Sequence, residues 1–244
     1  MTDLKTVTGW LLLAGWLLWA LIMISWSGVA TAEEGKNRIS LGWMGFNDTA
    51  TTSDVSFSGD GYSVPLSISR YQSGWQVGLS SAYLIQSDGV GRVSGPGDLR
   101  LSVGRDLNED WTITYQHKFA TADEAAGFST GADDNDLAVD YFRFIGSRSS
   151  LITSLGYKWV GKGQRTDRQN GGYVSAGLSW LVLAGFNLTG SIDFNQSTYS
   201  TSPDVTTLTL FGSHQLRDGW SVGWFVSRDS DDIFAGGTNV SVAF

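Results

Sequence analysis

The amino-acid sequence predicts an all-β fold, a transmembrane up-and-down antiparallel β-barrel of about 12 strands preceded by a signal peptide. Three observations predict it. Apolar and polar residues alternate through successive short segments, the connections between segments are alternately long and short, and aromatic residues begin several segments at one end. Alternation with a period of two is typical of strands that have one apolar face.

The first element is not part of the barrel. An apolar run covers residues 10–26, and the small residues after it end in Ala30-Thr31-Ala32. This order is typical of a secretory signal peptide. We therefore expect residues 1–32 to be a signal peptide that is removed and residues 33–244 to form the barrel. An uncleaved membrane anchor is the alternative, because the run is just long enough to span a bilayer.

The predicted strands follow in order. Each is long enough to cross the apolar band of an outer membrane when it is tilted. In one of them Phe186, Ile192 and Phe194 share a face opposite Asp193 and Asn195. The strands are residues 38–46, 62–71, 74–85, 97–106, 110–119, 134–145, 149–160, 172–183, 185–196, 204–215, 218–228 and 236–244.

The connections strictly alternate in length. Long ones cover residues 47–61, 86–96, 120–133, 161–171, 197–203 and 229–235. Short ones cover residues 72–74, 107–110, 146–148, 183–185 and 216–219. Outer-membrane barrels have long extracellular loops, short periplasmic turns and an even number of strands. The alternation therefore predicts the bacterial outer membrane as the location, with both ends of the barrel chain on the periplasmic side.

Aromatic residues recur at the short-turn end of the predicted strands. Such residues form girdles where a barrel meets the lipid headgroups. We expect a girdle of Trp75, Trp111, Phe186, Trp220 and Phe244. The expected partners are outer-membrane lipid and lipopolysaccharide, together with the barrel-assembly machinery, which would recognise the alternating C-terminal strand.

A secreted soluble barrel or sandwich is the alternative for the fold, since its strands also alternate. It would place the apolar face inward. The opposite face is rich in Gly, Ser, Thr and Asn, and a soluble fold has no reason to begin strand after strand with an aromatic residue. These features favour the membrane barrel.

Composition limits the remaining functions. The chain has no cysteine, so it has no disulfide and no thiolate metal ligand. Its net charge of −8 argues against nucleic acid as a partner, because phosphate binding requires clustered Lys and Arg. We expect no cofactor.

Charged residues on the polar face are candidates for the lining of the lumen. They are Arg100, Lys118, Asp140, Lys158 and Asp193. A charge inside a small barrel must be paired or solvated. Their signs allow internal salt bridges that plug the lumen, and equally a narrow wet channel. Mixed signs predict no sharp preference between anions and cations.

Catalysis and metal binding have weaker signals. His117 is predicted on the lipid-facing side, where an outer-membrane phospholipase would keep a catalytic His, but no Ser lies beside it, and His214 is predicted at the other end. We expect no catalytic residue. The acidic stretches 133–136 and 229–232 lack calcium-loop spacing, so we interpret them as solvated charge rather than a metal site.

One basic loop is a candidate for contacts with lipopolysaccharide phosphates. It contains Lys162, Arg165 and Arg168. The spacing of these residues carries no more specific motif.

One stretch resembles a known family. Residues 64–71, the segment SGWQVGLSSAYLI at 73–85 and GPGDLRLSVGRDL at 95–107 are similar to a hairpin and strand start found in a family of outer-membrane transporters. That family is associated by name with the meta-pathway of phenol degradation. The resemblance implies a barrel that moves small solutes, including apolar or aromatic ones, and it brings no functional residues with it.

The favoured function is therefore a passive, porin-like channel or transporter for small solutes. A closed barrel with a structural, adhesive or sensing role through its long loops is the alternative. A lipid-modifying enzyme is the third possibility.

Overall fold

The computed structural model describes residues 35–46, 51–52, 55–56, 61–87, 92–163, 167–217 and 219–244. The predicted signal peptide, residues 1–32, lies outside this range. Within the described residues there is no helix of the length and apolarity needed to cross a membrane.

All regular structure in the described residues is β-strand. The strands are β1 (Asn37–Phe46), β2 (Thr51–Thr52), β3 (Val55–Ser56), β4 (Gly61–Gln72), β5 (Trp75–Ser87), β6 (Arg92–Pro96), β7 (Leu99–Asp106), β8 (Trp111–Phe119), β9 (Asp134–Phe144), β10 (Ser149–Val160), β11 (Gly171–Leu183), β12 (Phe186–Asn195), β13 (Val205–Arg217), β14 (Trp220–Asp229) and β15 (Phe234–Ala243).

The large sheet closes on itself as an antiparallel barrel of 12 strands, which confirms the predicted fold class. Each strand pairs with its neighbours in chain order, and β1 completes the ring by pairing with both β4 and β15. Within the described residues the ring is therefore closed, and β6, which pairs only with β5, leaves a short unpaired stretch above β7. β2 and β3 pair as a separate two-stranded antiparallel sheet in the first long connection.

The fourth barrel strand differs from its prediction. Residues 97–106 were expected to be continuous, but β6 and β7 are separated by Gly97 and Asp98. β5 pairs Ser80 with Arg100 and Tyr83 with Pro96, so one extra residue stands on the β6–β7 side. This is a β-bulge, which bends a strand and re-aims its side chains. Asp98 is buried there.

The outward face of the barrel is apolar. Leu41, Leu79, Ile192, Leu208 and Val240 are all exposed, and they belong to five different strands. A soluble barrel would bury these side chains, because water-exposed apolar patches of this extent are rare in soluble proteins. The face is suited to lipid instead, and this arrangement contradicts the soluble alternative.

The turn between β13 and β14 depends on a glycine. Gly219 has a φ of +77°, and a Cβ there would overlap the carbonyl oxygen of Ala243. We expect Gly219→Ala to destabilise the barrel by about 1–3 kcal/mol, measured by urea unfolding in detergent micelles. Gly146→Ala is the control, because a Cβ at Gly146 has no atom within 4 Å. Equal losses in the two variants would contradict the argument.

Candidate functional site

The barrel encloses a cavity of about 970 Å³ in its interior. The cavity is bordered by side chains from β7 through β15 and by the connection between β12 and β13. Many of the side chains on its wall carry hydroxyl, amide or charged groups. Representative lining residues are Gln116, Ser154, Tyr173, Ser175, Asn195 and Thr207.

Four of the five charged residues expected in the lumen lie on the cavity wall: Arg100, Asp140, Lys158 and Asp193. The fifth, Lys118, does not line the cavity. Its side chain points inward as its position on β8 predicts, but it is 2% exposed. Long-range ion pairs hold it in the wall, so sequence position alone did not predict its burial.

Hydrogen bonds fix the orientation of the acidic groups in the cavity. The hydroxyl of Ser154 donates to Asp140 at 2.6 Å, and the hydroxyl of Tyr173 donates to Asp136 at 2.8 Å. The hydroxyl of Ser191 donates to Asp193 at 3.1 Å. These bonds hold the three carboxylates against the barrel wall, so that the side chains do not block the cavity.

Charges of both signs line the cavity, but their balance was not predicted. The structure adds three acidic residues to the wall that the sequence pattern did not select. The acidic lining residues are Asp136, Asp140, Asp193, Asp229 and Asp231, and the basic ones are Arg100 and Lys158. The cavity therefore has an acidic excess.

A second group of charges, which we name the ion cluster, lies at the long-loop end and comprises Asp98, Lys118, Asp134 and Arg168. The ammonium of Lys118 is 2.8 Å from Asp134 and 3.5 Å from Asp98. Arg168 binds both oxygens of Asp134 at 2.9 Å. A bidentate contact of this kind is the strongest geometry for an arginine and a carboxylate. Two cations and two anions balance each other.

The ion cluster also anchors loop 120–133, the connection between β8 and β9. Asp98 accepts the backbone N–H groups of Thr121 and Ala122 at 3.0 Å, and the hydroxyl of Ser129 at 2.9 Å. Lys118 donates to the hydroxyl of Thr130 at 2.6 Å. Residues 121–122 and 129–130 of the loop are thereby held inside the barrel mouth.

An apolar contact reinforces this arrangement. Phe128, at the tip of loop 120–133, packs against Phe46 of β1 and Leu84 of β5. A Cβ at Gly95 would lie 2.8 Å from the Phe128 ring, so the glycine makes room for it. Loop 120–133 therefore fills one side of the mouth, and the cavity occupies the other.

The expected lipopolysaccharide contact of Arg168 is wrong, because its guanidinium is buried in the ion cluster rather than exposed. Lys162 is exposed, and Arg165 lies outside the described residues. Nothing in the local sequence distinguishes Arg168 from the other two. Its partner Asp134 lies 34 residues away in the chain.

His117 has an orienting partner that the sequence analysis missed. Its Nδ1 lies 2.9 Å from the side-chain oxygen of Asn135, and its Nε2 lies 3.7 Å from Asp133. Tyr115 also donates to Asn135. No Ser or Thr hydroxyl within the described residues is hydrogen-bonded to the ring. The arrangement supplies an imidazole and an amide, but no nucleophile.

The acidic stretches are used within the fold. Asp133 accepts the backbone N–H of Ala120, and Asp229 accepts those of Asp231 and Ile233. Among the described residues, no three His, Asp or Glu side chains converge in a way that could hold a metal ion.

Four of the five expected girdle residues begin strands at one end of the barrel, and Phe244 follows β15. Trp75, Trp111 and Trp220 are the first residues of β5, β8 and β14, and they are exposed, as is Phe244. Phe186 begins β12 and is partly covered. The guanidinium of Arg105 lies 5.1 Å from the Trp75 ring, and that of Arg217 lies 5.2 Å from the Trp220 ring.

The barrel is similar to known outer-membrane channels. The COG4313 outer membrane channel from Pseudomonas putida F1 shares a TM-score of 0.66 and 15% identity, with 88% of this chain and 97% of that chain covered. The chain has the fold of an outer-membrane channel. The KdgM porin gives 0.58 and 10%, covering 84% and 99%. The CymD monoaromatic hydrocarbon channel gives 0.53 and 10%, covering 87% and 89%.

These similarities concern the fold. No family model matches the sequence, and no curated protein matches it. The predicted up-and-down barrel of about 12 strands is confirmed as an architecture. The association with a meta-pathway stays a prediction, since none of these similarities bears on it.

Proposed function

We propose that this protein is a channel of the bacterial outer membrane through which small solutes, including apolar or aromatic ones, diffuse passively. The observation that carries the proposal is the cavity of about 970 Å³ inside the closed barrel. Sites for small molecules in proteins commonly enclose roughly 300–1,000 Å³. The cavity is therefore large enough for a small solute.

The chemistry of the wall supports passage rather than tight binding. Hydroxyl and carboxylate groups such as those of Ser175, Thr207 and Asp193 keep the cavity hydrated. A hydrated path with several weak polar contacts allows a solute to enter and to leave. The apolar outward face supports a position in lipid, with the long loops outside the cell and the short turns in the periplasm.

The membrane partners belong to the same proposal. Exposed tryptophans that begin β5, β8 and β14 support a girdle at the periplasmic headgroups. Contacts of the outer rim with lipopolysaccharide, and recognition of β15 by the barrel-assembly machinery, are proposed with it. Signal-peptide removal after Ala32 completes the route to this membrane.

Solved channels with this fold carry different solutes, so the fold alone does not select one. One similar structure is named as a monoaromatic hydrocarbon channel, and another is KdgM porin in complex with disordered oligogalacturonate. A polyanion would meet the acidic excess of the cavity described above. The wall charge therefore favours neutral or cationic small solutes over polyanions.

Planar-bilayer conductance tests the proposal. We expect the refolded protein to give discrete, steady conductance steps, because a hydrated cavity of this size allows ions to pass. Proteoliposomes should also swell in isotonic solutions of small uncharged sugars. A silent bilayer with a correctly folded barrel would contradict the proposal.

A pair of cysteine variants locates the path. The natural chain has no cysteine, so a single introduced thiol reports on one position. Ser175 lines the cavity, and its neighbour Ala176 points to the outward groove. We expect a charged thiol reagent to reduce the conductance of Ser175→Cys and to leave Ala176→Cys unchanged. Equal effects would show that the current bypasses the lumen.

A closed barrel that acts through its long loops is the second candidate. Its supporting observation is loop 120–133, which is fixed in the mouth by the ion cluster and by Phe128. Silence in bilayers, together with binding of the protein to cell surfaces through these loops, would favour this function over the channel.

A further inference from the structure

Two phenylalanines lie side by side on the inward face of the barrel. Phe211 of β13 and Phe225 of β14 are directly paired across the two strands. They share the inward face with Thr207 and Ser227, which line the cavity. We call Phe211 and Phe225 the phenyl pair. Sequence alternation places Phe225 among Ser221, Gly223 and Ser227, on the face that is otherwise polar.

Two glycines make room for the phenyl pair on the wall. A Cβ at Gly237 would lie 2.7 Å from the Phe225 ring, and a Cβ at Gly223 would lie 3.3 Å from the Phe211 ring. The rings therefore lie over bare backbone instead of being pushed into the centre of the lumen.

The phenyl pair is not part of the apolar cluster at the mouth. That cluster consists of Phe46, Leu84 and Phe128, with partly buried neighbours that do not include either ring. Phe211 is 38% exposed although it points into the barrel. An apolar ring that faces water inside a lumen gains free energy when another apolar surface covers it.

The next inward-facing residues along the two strands carry hydroxyl groups. Thr209 and Ser227 are paired with each other and lie two residues from Phe211 and Phe225 along their strands. Two residues of strand span roughly 7 Å. A small guest that places a ring on the phenyl pair can therefore direct a polar substituent toward these two hydroxyls.

We propose that the phenyl pair is a binding site for the aromatic ring of a small solute that carries a polar substituent. This rests on the channel function proposed above and adds the class of solute and the place where it is held. Aromatic rings prefer offset or edge-to-face contact with other aromatic rings, and such contact adds to simple apolar burial. The site selects aromatic guests over saturated rings of similar size.

Ligand-observed NMR with detergent-solubilised protein tests this site without requiring transport. Benzyl alcohol and cyclohexylmethanol are the probes, because they share size and hydroxyl group but differ in aromaticity. We expect benzyl alcohol to bind about two- to tenfold more tightly, the range that aromatic contact contributes. Phe211→Leu should remove most of this preference, and Phe225→Leu should do the same.

Phe194→Leu is the matched control. Phe194 is 39% exposed, close to the value for Phe211, but it lies on the outward face of β12. The control variant removes the same phenyl ring and is measured in the same micelles. It should nevertheless keep the preference for benzyl alcohol. Heat-modifiable migration in gels checks that each variant is a folded barrel.

The outcomes separate the two proposals. Preference for benzyl alcohol that disappears in both pair variants supports the site, even if bilayers are silent and the channel proposal fails. Conductance without any such preference overturns the site and leaves the channel standing. A preference that survives in Phe211→Leu and Phe225→Leu also overturns it, since the ring would then bind elsewhere.

Discussion

Replacing Asp134 with Asn is expected to release loop 120–133 from the barrel mouth. The change leaves the buried side chains of Lys118 and Arg168 without their shared counter-charge. Breaking a buried ion pair by removing one partner typically costs about 3–5 kcal/mol. The backbone hydrogen bonds between the barrel strands do not involve this ion pair. The free-energy cost should therefore appear as opening of the loop rather than as global unfolding.

Chymotrypsin cleavage after Phe128 measures this opening. Phe128 is 2% exposed, so the protease reaches it only when the loop leaves the mouth. We expect the cleavage rate to rise about a hundredfold or more, because each 1.4 kcal/mol changes the open population about tenfold. Single-channel conductance should rise as well, since the loop occupies one side of the mouth.

An exposed ion pair provides the control. Arg228 and Asp232 form a salt bridge whose side chains are 66% and 80% exposed. Surface pairs of this kind contribute about 0–1 kcal/mol. Asp232→Asn should therefore change neither cleavage nor conductance. If Asp134→Asn resists chymotrypsin as well as the unaltered protein does, the ion cluster does not hold the loop.

The barrel itself could be predicted from the sequence because strand alternation and turn length are local properties. The strand β10 has the predicted bounds, Ser149 and Val160. Its outward and inward faces follow directly from the period of two. The closure of the ring follows in turn, because an even number of membrane-crossing strands leaves no other partner for β15 than β1.

The contents of the lumen were less predictable because they depend on contacts between distant residues. The bulge at Asp98 depends on the N–H groups of Thr121 and Ala122, which are more than 20 positions away in the chain. Arg168 is in a loop, and its local sequence does not distinguish it from an exposed arginine. Its burial follows only from the fold, which brings Asp134 beside it. The sequence alone places Phe225 on the polar face. Its pairing with Phe211 depends on the register of the two strands, which the sequence does not give.

The acidic excess of the cavity leads to the second large expected effect, a preference for cations. Under a potassium chloride gradient, we expect a reversal potential that corresponds to K⁺ permeating at least about threefold better than Cl⁻, because a local potential of order kT is enough for this ratio. The preference should weaken as salt rises toward 1 M, since the Debye length then falls to about 3 Å.

Single substitutions on the wall test the origin of this preference. Asp193→Asn removes one lining carboxylate at constant shape and should lower the K⁺/Cl⁻ ratio, whereas Lys158→Gln removes a lining cation and should raise it. Glu109→Gln is the control, because Glu109 is exposed in the short turn after β7 and is not part of the cavity wall. An anion-preferring channel, or equal shifts in Asp193→Asn and Glu109→Gln, would show that these carboxylates do not face the conducting path. We expect Asp193→Asn to lower the cation preference and Glu109→Gln to leave it unchanged. Charges on a narrow low-dielectric wall act on every ion that passes, whereas charges outside the lumen are screened by salt.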